Sequence, residues 1–301
     1  MDINRQEFYF RSLDGVHDVH AIRWVPAGEP RAVLQIVHGM CEHIARYDEF
    51  ARYLAERGVL VAGHSHLGHG LTAKTEEELG WFGEPDGNML LIGDIHQLRE
   101  QTQIPGVPYF ILGHSMGSFL LRQYLGLHGA GLAGAIIMGT GDIPGAVLKA
   151  GQLTCRSIAA VKGWHHRSAF VSGFVTEGYK RKYGLTWLSK NEESNRSYEA
   201  DPFCGFRFTL NGYCNFFLGV DRANRQEAAG EIPKACPLLF IAGAEDPVGG
   251  SGKGVRAVYS RYRRQGARAR IRLYPGGRHE ILNELDREQV YADIYNWIIR
   301  N

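Results

Sequence analysis

The sequence has little excess charge of either sign. Its 34 Lys and Arg nearly balance its 32 Asp and Glu, which leaves a formal net charge of +2 over 301 residues. Proteins that bind nucleic acid usually carry a strong positive charge, so we do not expect a nucleic-acid partner.

Cysteine is also scarce. The five cysteines are Cys41, Cys155, Cys204, Cys214 and Cys236. They show neither Cys-x-x-Cys spacing nor a disulfide framework, and we interpret them as reduced packing residues.

Long apolar segments are absent too. No run of about 18 apolar residues occurs, which argues against a membrane-spanning helix. The start of the chain, Met1 to Glu7, lacks the apolar core of a signal peptide. From these two observations we expect a soluble, cytoplasmic protein. The sequence shows no internal repeats or low-complexity tracts, and we expect one large domain. The oligomeric state is left open.

The chain does contain short apolar runs that alternate with helical patterns. A hairpin is predicted around Asp14-Gly15. Later strands are predicted at Ala32 to Val37, Val59 to Ala62, Tyr109 to Leu112, Ala135 to Met138, Pro237 to Gly243 and Ala269 to Tyr274. Because helical patterns separate these strands, we expect an α/β fold with a mostly parallel sheet and helices on both faces.

One interval is too long for a loop in a compact domain. We predict that residues 142–226 form a structured insertion and that residues 1–141 and 227–301 form the core. The interval holds 13 of the 33 aromatic residues, and its 12 Lys and Arg exceed its 7 Asp and Glu. The insertion is therefore aromatic and basic.

The stretch from Val107 to Leu121 predicts a buried strand, a tight turn and a helix, with Ser115 at the turn. Such a turn needs neighbours without Cβ atoms, and Gly113 and Gly117 meet that need. This Gly-x-Ser-x-Gly pattern exposes a serine hydroxyl beside the first free amides of a helix, so Ser115 is a candidate nucleophile.

A serine nucleophile needs a base and an orienting acid. Of the histidines beyond Ser115, only His279 lies in a loop just after a predicted strand, and Asp246 directly follows another. Glu245 is the alternative acid. The backbone amides of Met40 and Met116 are candidates for an oxyanion hole.

With these motifs, the sequence resembles α/β-hydrolases of the monoglyceride lipase and lysophospholipase group. The matching motifs run in the order of that family: His38 to His43 with Arg46-Tyr47, Gly68-His69-Gly70, Gly113 to Gly117, Asp246 to Val248, and His279-Glu280. The resemblance implies an eight-stranded, mostly parallel sheet, with residues 142–226 as a cap over an acyl pocket.

The resemblance also implies roles. Ser115 is the nucleophile, His279 the base and Asp246 its orienting acid. The amides of Met40 and Met116 form the oxyanion hole. Neither a metal nor an organic cofactor is expected.

The sequence departs from the family in the loop before Gly68-His69-Gly70. Family members usually have an Asp, and often an Arg, in this loop, whereas this chain has Ser65, His66 and Leu67. The segment from His64 to His69 also resembles a metal-binding His-x-His-x-Asp-His motif, but Gly68 replaces its Asp. A phosphate-loop interpretation of Gly249 to Gly254 fails because Pro247 occupies the first glycine position.

The expected function is hydrolysis of carboxylic esters, with monoacylglycerols or similar monoacyl lipids as substrates. Lysophospholipase and serine aminopeptidase or amidase are the alternatives, and a non-enzymatic ligand-binding protein is a third. Several cap aromatics are predicted to line an acyl tunnel, among Phe170, Phe174, Trp187, Phe203, Phe206, Phe216 and Phe217. The basic run Lys180 to Lys182 suggests a transient contact of the cap with a membrane surface.

Overall fold

A computed structural model describes residues 3–175 and 177–301, and it is built around one eight-stranded sheet. The strands are β1 (Asn4–Arg11), β2 (Asp18–Val25), β3 (Ala32–Val37), β4 (Val59–His64), β5 (Tyr109–His114), β6 (Gly134–Met138), β7 (Leu238–Gly243) and β8 (Ala269–Tyr274).

The sheet order is β1-β2-β4-β3-β5-β6-β7-β8. The β1–β2 and β2–β4 pairs are antiparallel, and every other pair is parallel. The five central strands, β3 to β7, are buried along their whole length, which explains their mostly apolar sequences. The predicted α/β fold and mostly parallel sheet are confirmed.

Ten α-helices occur in the described part of the chain. They are α1 (Asp48–Ala55), α2 (Gly87–Thr102), α3 (Met116–His128), α4 (Gly145–Lys162), α5 (Ala169–Val175), α6 (Glu177–Tyr183), α7 (Glu192–Ala200), α8 (Leu210–Ala229), α9 (Lys253–Arg264) and α10 (Arg287–Arg300). None of these helices combines the length and the apolarity that crossing a bilayer requires.

The sheet is covered on both faces. Side chains of α1 and α10 pack in one apolar cluster, and those of α2, α3, α8 and α9 pack in another. Strand residues alternate between the two: Phe110 and Leu112 of β5 join the first cluster, whereas Tyr109 and Ile111 join the second. Two buried faces therefore fix the register of the central strands.

Helices α4 to α8 lie between β6 and β7, within the interval predicted as an insertion. The last of them, α8, extends to Ala229, three residues beyond the predicted boundary at 226. It packs against both α4 and α3, so this interval is joined to the helix that follows Ser115. That the interval acts as a cap stays a prediction.

Candidate active site

Ser115 forms the whole turn between β5, which ends at His114, and α3, which begins at Met116. Its φ of +51° lies in the left-handed region that residues other than glycine rarely adopt. A Cβ at Gly117 would lie 2.0 Å from the carbonyl oxygen of Val37, so only glycine fits there. This tight packing holds the serine at the carboxyl edge of the sheet.

The structure brings the three predicted side chains into one line of hydrogen bonds. Ser115 Oγ lies 2.8 Å from His279 Nε2. His279 Nδ1 lies 3.1 and 3.0 Å from the two carboxylate oxygens of Asp246. Asp246 follows β7 and His279 follows β8, so adjacent parallel strands place the acid and the base at one edge.

The environment of His279 strengthens it as a base. Asp246 is fully buried, and its Oδ1 also accepts a hydrogen bond from the amide of Val248 at 2.8 Å. Burial on its own lowers the pKa of His279, but the adjacent Asp246 carboxylate, together with Glu280 and Glu42, raises that pKa above its ordinary value of 6.5.

Met40 and Met116 both line the cavity next to Ser115. Within the described residues, neither backbone amide donates a hydrogen bond to a protein group. The neighbouring amide of Gly39 is engaged instead, because it donates to Glu42 Oε1 at 2.6 Å. The two methionine amides are therefore available to a ligand oxygen.

A buried ionic network lies beneath these groups, and sequence reasoning assigned it no role. Arg46 donates to Glu42 at 2.9 Å and to both carboxylate oxygens of Glu280 at 2.8 Å. His114 Nδ1 and the Tyr47 hydroxyl both lie near Glu42 Oε1, at 3.1 and 2.9 Å. Burial opposes ionisation of Glu42, yet His114 and Arg46 hold its pKa well below the usual range. The network joins the loop after β3 to the loop of His279.

The insertion contacts the His279 loop directly. The amides of His279 and Glu280 donate to the carbonyl oxygens of Trp187 and Leu188 at 3.3 and 2.7 Å. The indole of Trp187 also stacks on the imidazole of His279, with ring centroids 5.4 Å apart. The position of His279 thus depends on the insertion as well as on the sheet.

A cavity of about 640 Å³ opens above Ser115 and His279, between the sheet edge and the insertion. Six of the seven aromatic residues proposed for a tunnel line it: Phe170, Phe174, Trp187, Phe206, Phe216 and Phe217. The seventh, Phe203, lies edge-on to His43 instead. A mainly aromatic and aliphatic wall suits an apolar ligand.

Glu245, the alternative acid, lies elsewhere. Its carboxylate pairs with Lys190 at 3.0 Å and with Arg278 at 3.5 Å. Asp246 therefore occupies the position beside His279.

The histidines of the segment from His64 to His69 form a buried cluster. His64, His66 and His69 are fully enclosed, and His66 Nδ1 lies 3.2 Å from His64 Nε2. Burial lowers the pKa of His69 to about 4, so its ring is neutral. Within the part of the chain that the structure describes, three candidate metal ligands converge at His43, Asp201 and Cys204, and not in this loop.

The sequence profile of one family, described as "Serine aminopeptidase, S33", matches residues 28–286. The chain belongs to this family.

Proteins similar to this chain include lipases and an esterase. The monoacylglycerol lipase of Mycolicibacterium smegmatis is 28% identical, and the alignment covers 98% of this chain and 97% of the lipase chain. Human monoglyceride lipase is 26% identical, and the alignment covers 91% of this chain and 84% of the human chain.

A carboxyl esterase from Bacillus coagulans, solved in complex with glycerol, is 32% identical and superposes with a TM-score of 0.88 over 99% of this chain and 100% of the esterase. These likenesses confirm the predicted α/β-hydrolase resemblance, and this S33 member is a hydrolase of the lipase and esterase kind.

Proposed function

We propose that the protein hydrolyses the ester bond of monoacylglycerols and similar monoacyl lipids through an acyl-enzyme on Ser115. The observation that carries the proposal is the hydrogen-bonded line Ser115, His279 and Asp246 at the floor of a large apolar cavity.

In the proposed mechanism, Ser115 Oγ attacks the ester carbonyl carbon and its proton passes to His279 Nε2. The amides of Met40 and Met116 stabilise the oxyanion of the tetrahedral intermediate. Collapse of the intermediate releases the alcohol, which takes the proton from His279. A water molecule then gives a proton to His279 and attacks the acyl-enzyme, and the fatty acid leaves as Ser115 recovers its proton.

The cavity wall supports a single acyl chain as the substrate's main anchor. Burying a CH₂ group contributes about 0.8 kcal/mol, so kcat/KM is expected to rise about fourfold for each carbon until the cavity is full. The names of the lipase relatives, and the glycerol bound to the carboxyl esterase, agree with a glyceride head group.

The amidase alternative has less support. An aminopeptidase needs an unpaired acid to bind a free amino terminus. The carboxylates that line this cavity, Glu42, Glu177, Glu199 and Glu280, each have a cationic partner among the described residues: Arg46, Arg207, Lys180 and Arg46 again.

The cavity rim supports contact with a lipid surface. Phe170 and Phe174 are 62% and 76% exposed, line the cavity and pack against each other. The basic run Lys180 to Lys182 lies on α6, the next helix along the chain. We propose that this rim touches anionic membranes transiently, which co-sedimentation with vesicles with and without anionic lipid would test.

A substrate panel tests the proposed function. The panel compares kcat/KM for monoacylglycerols of increasing acyl length, lysophosphatidylcholine, acetyl esters and aminoacyl amides. Activity should rise with acyl length and be greatest on a monoacylglycerol. A steady fall from acetyl esters upward, or faster cleavage of aminoacyl amides, would overturn the proposal.

A further inference from the structure

Three side chains with different metal-binding atoms meet outside the reacting groups. His43 Nε2 lies 2.8 Å from Asp201 Oδ2, and Cys204 joins them so that all three candidate ligand atoms lie within 4.8 Å of one another. His43 belongs to the loop after β3, whereas Asp201 and Cys204 follow α7 in the insertion. All three are partly buried, and Cys204 also lines the cavity, so an ion could reach them.

We propose that His43, Asp201 and Cys204 form a binding site for Zn²⁺ or a similar divalent ion that accepts thiolate. An imidazole nitrogen, a carboxylate oxygen and a thiolate sulfur are all ordinary zinc ligands, at about 2.0–2.3 Å. Neighbouring ligands of a tetrahedral ion are roughly 3–4 Å apart, which small side-chain rotations can reach from the observed spacing. A water molecule would complete the shell.

The local chemistry selects among ions. A thiol binds a metal ion as the thiolate, so the ion must displace the proton of Cys204 to solvent. Zn²⁺ and Co²⁺ bind thiolate well enough to do this, whereas Mg²⁺ and Ca²⁺ prefer oxygen ligands. The nearby cation Arg46 is already paired with Glu42 and Glu280, which reduces its repulsion of an ion.

The surroundings hold the ligands in place. Asp201 Oδ1 accepts a hydrogen bond from the amide of Phe203 at 2.8 Å, which leaves Oδ2 to face His43. The two segments also meet at Cys41, whose carbonyl accepts from the Gly205 amide at 3.0 Å and the Tyr198 hydroxyl at 3.1 Å. A bound ion would therefore tie the insertion more tightly to the loop that carries Met40.

Cobalt titration tests the site. The full chain, kept reduced with a phosphine, is titrated with Co²⁺ while the near-ultraviolet thiolate-to-cobalt absorption band is followed. We expect a band that saturates at one ion per chain and is lost when Zn²⁺ is added. Cys204→Ser should lack the band, and the control Cys236→Ser should keep it, because Cys236 lies outside the cluster.

Thermal unfolding gives a second readout that needs no turnover. Zn²⁺ should raise the Tm of wild type and of Cys236→Ser, but not of Cys204→Ser. Should Cys204→Ser fail to fold, Asp201→Asn keeps the thiol and should bind Co²⁺ at least about tenfold more weakly. Absence of the band in wild type, or an equal band in Cys204→Ser, would overturn the proposal.

Discussion

His114, the residue before Ser115, donates a hydrogen bond from Nε2 to the carbonyl oxygen of His279 at 3.3 Å. Its other nitrogen faces Glu42 Oε1 and the Tyr47 hydroxyl, both at 3.1 Å. The imidazole therefore links the serine turn, the backbone of the proposed base and the loop that carries Met40.

We expect His114→Asn to lower kcat by about 10- to 100-fold with little change in KM, because small misplacement of reacting groups is costly. Steady-state kinetics on one monoacyl ester would check this. His17→Asn, in the β1–β2 hairpin, is the control. A loss of stability with unchanged kcat would show that His114 is only structural.

The acid limb of the pH profile should report His279. The proposed base must be neutral, and its pKa lies above 6.5 because Asp246 and the nearby Glu280 and Glu42 together offset burial. We therefore expect kcat/KM to fall as the pH drops, with a midpoint above pH 6.5. The measurement is kcat/KM from pH 5 to 9 with an uncharged ester. A plateau that persists well below pH 6 would contradict the assignment.

Stability should fall on acidification because of the buried histidines. Burial lowers the folded-state pKa of His64 to about 3 and of His69 to about 4, and it also holds those of His38 and His66 well below 6.5. Only the unfolded chain takes up these protons just below pH 6.5, so stability is lost as the pH falls from there. Each such histidine contributes about 1.4 kcal/mol per pH unit.

Urea unfolding at pH 7.5, 6.0 and 5.0 measures this loss. The variant His64→Gln removes one titrating group. As the pH is lowered, its free energy of unfolding should therefore fall less steeply than that of wild type, by about 1.4 kcal/mol per pH unit. Equal slopes for the two proteins would mean that folding does not lower the pKa of His64.

The aromatic wall of the cavity gives a matched pair of variants. Phe216 lines the cavity and packs on Phe119, whereas Phe203 is similarly half-buried but lies outside the lining. Phe216→Ala should lower kcat/KM for long-chain monoacylglycerols by about tenfold or more and change acetyl-ester hydrolysis little. Phe203→Ala should leave the chain-length profile unchanged. Equal losses on short and long esters in Phe216→Ala would argue against an acyl-binding wall.

Much of the fold followed from local sequence. The strand predicted at Ala32 to Val37 is β3 with the same bounds, because both of its faces are buried and all of its residues except Gln35 are apolar. Ser115, Asp246 and His279 could be picked out because each follows a predicted strand, and parallel strands end at one edge.

Other features depend on partners distant in sequence. The bounds of α2 could not be predicted, since its buried positions include Asn88, Asp94 and Arg99, which obscure the apolar period. Asp94 meets Ser12, and Arg99 meets the carbonyls of His128 and Ala130. No local sequence pattern predicts these side-chain pairings.

The ionic network beneath the site is non-local in the same way. Arg46 and Glu280 are 234 residues apart, and their contact exists only after β3 and β8 enter one sheet. Arg46 and Glu280 stood inside recognisable motifs, but their pairing could not be deduced from them. The sequence identified the positions of these residues, but their contacts are evident only in the folded structure.

The most direct test of the central claim is covalent labelling of Ser115. Wild type is treated with a fluorophosphonate, the adduct is located by peptide mass spectrometry, and hydrolysis of a monoacylglycerol is measured in parallel. We expect one adduct, on Ser115. Ser115→Ala should lose the label and at least about a thousandfold in kcat, while the exposed-serine control Ser157→Ala should keep both. Labelling or turnover that survives in Ser115→Ala would contradict the account.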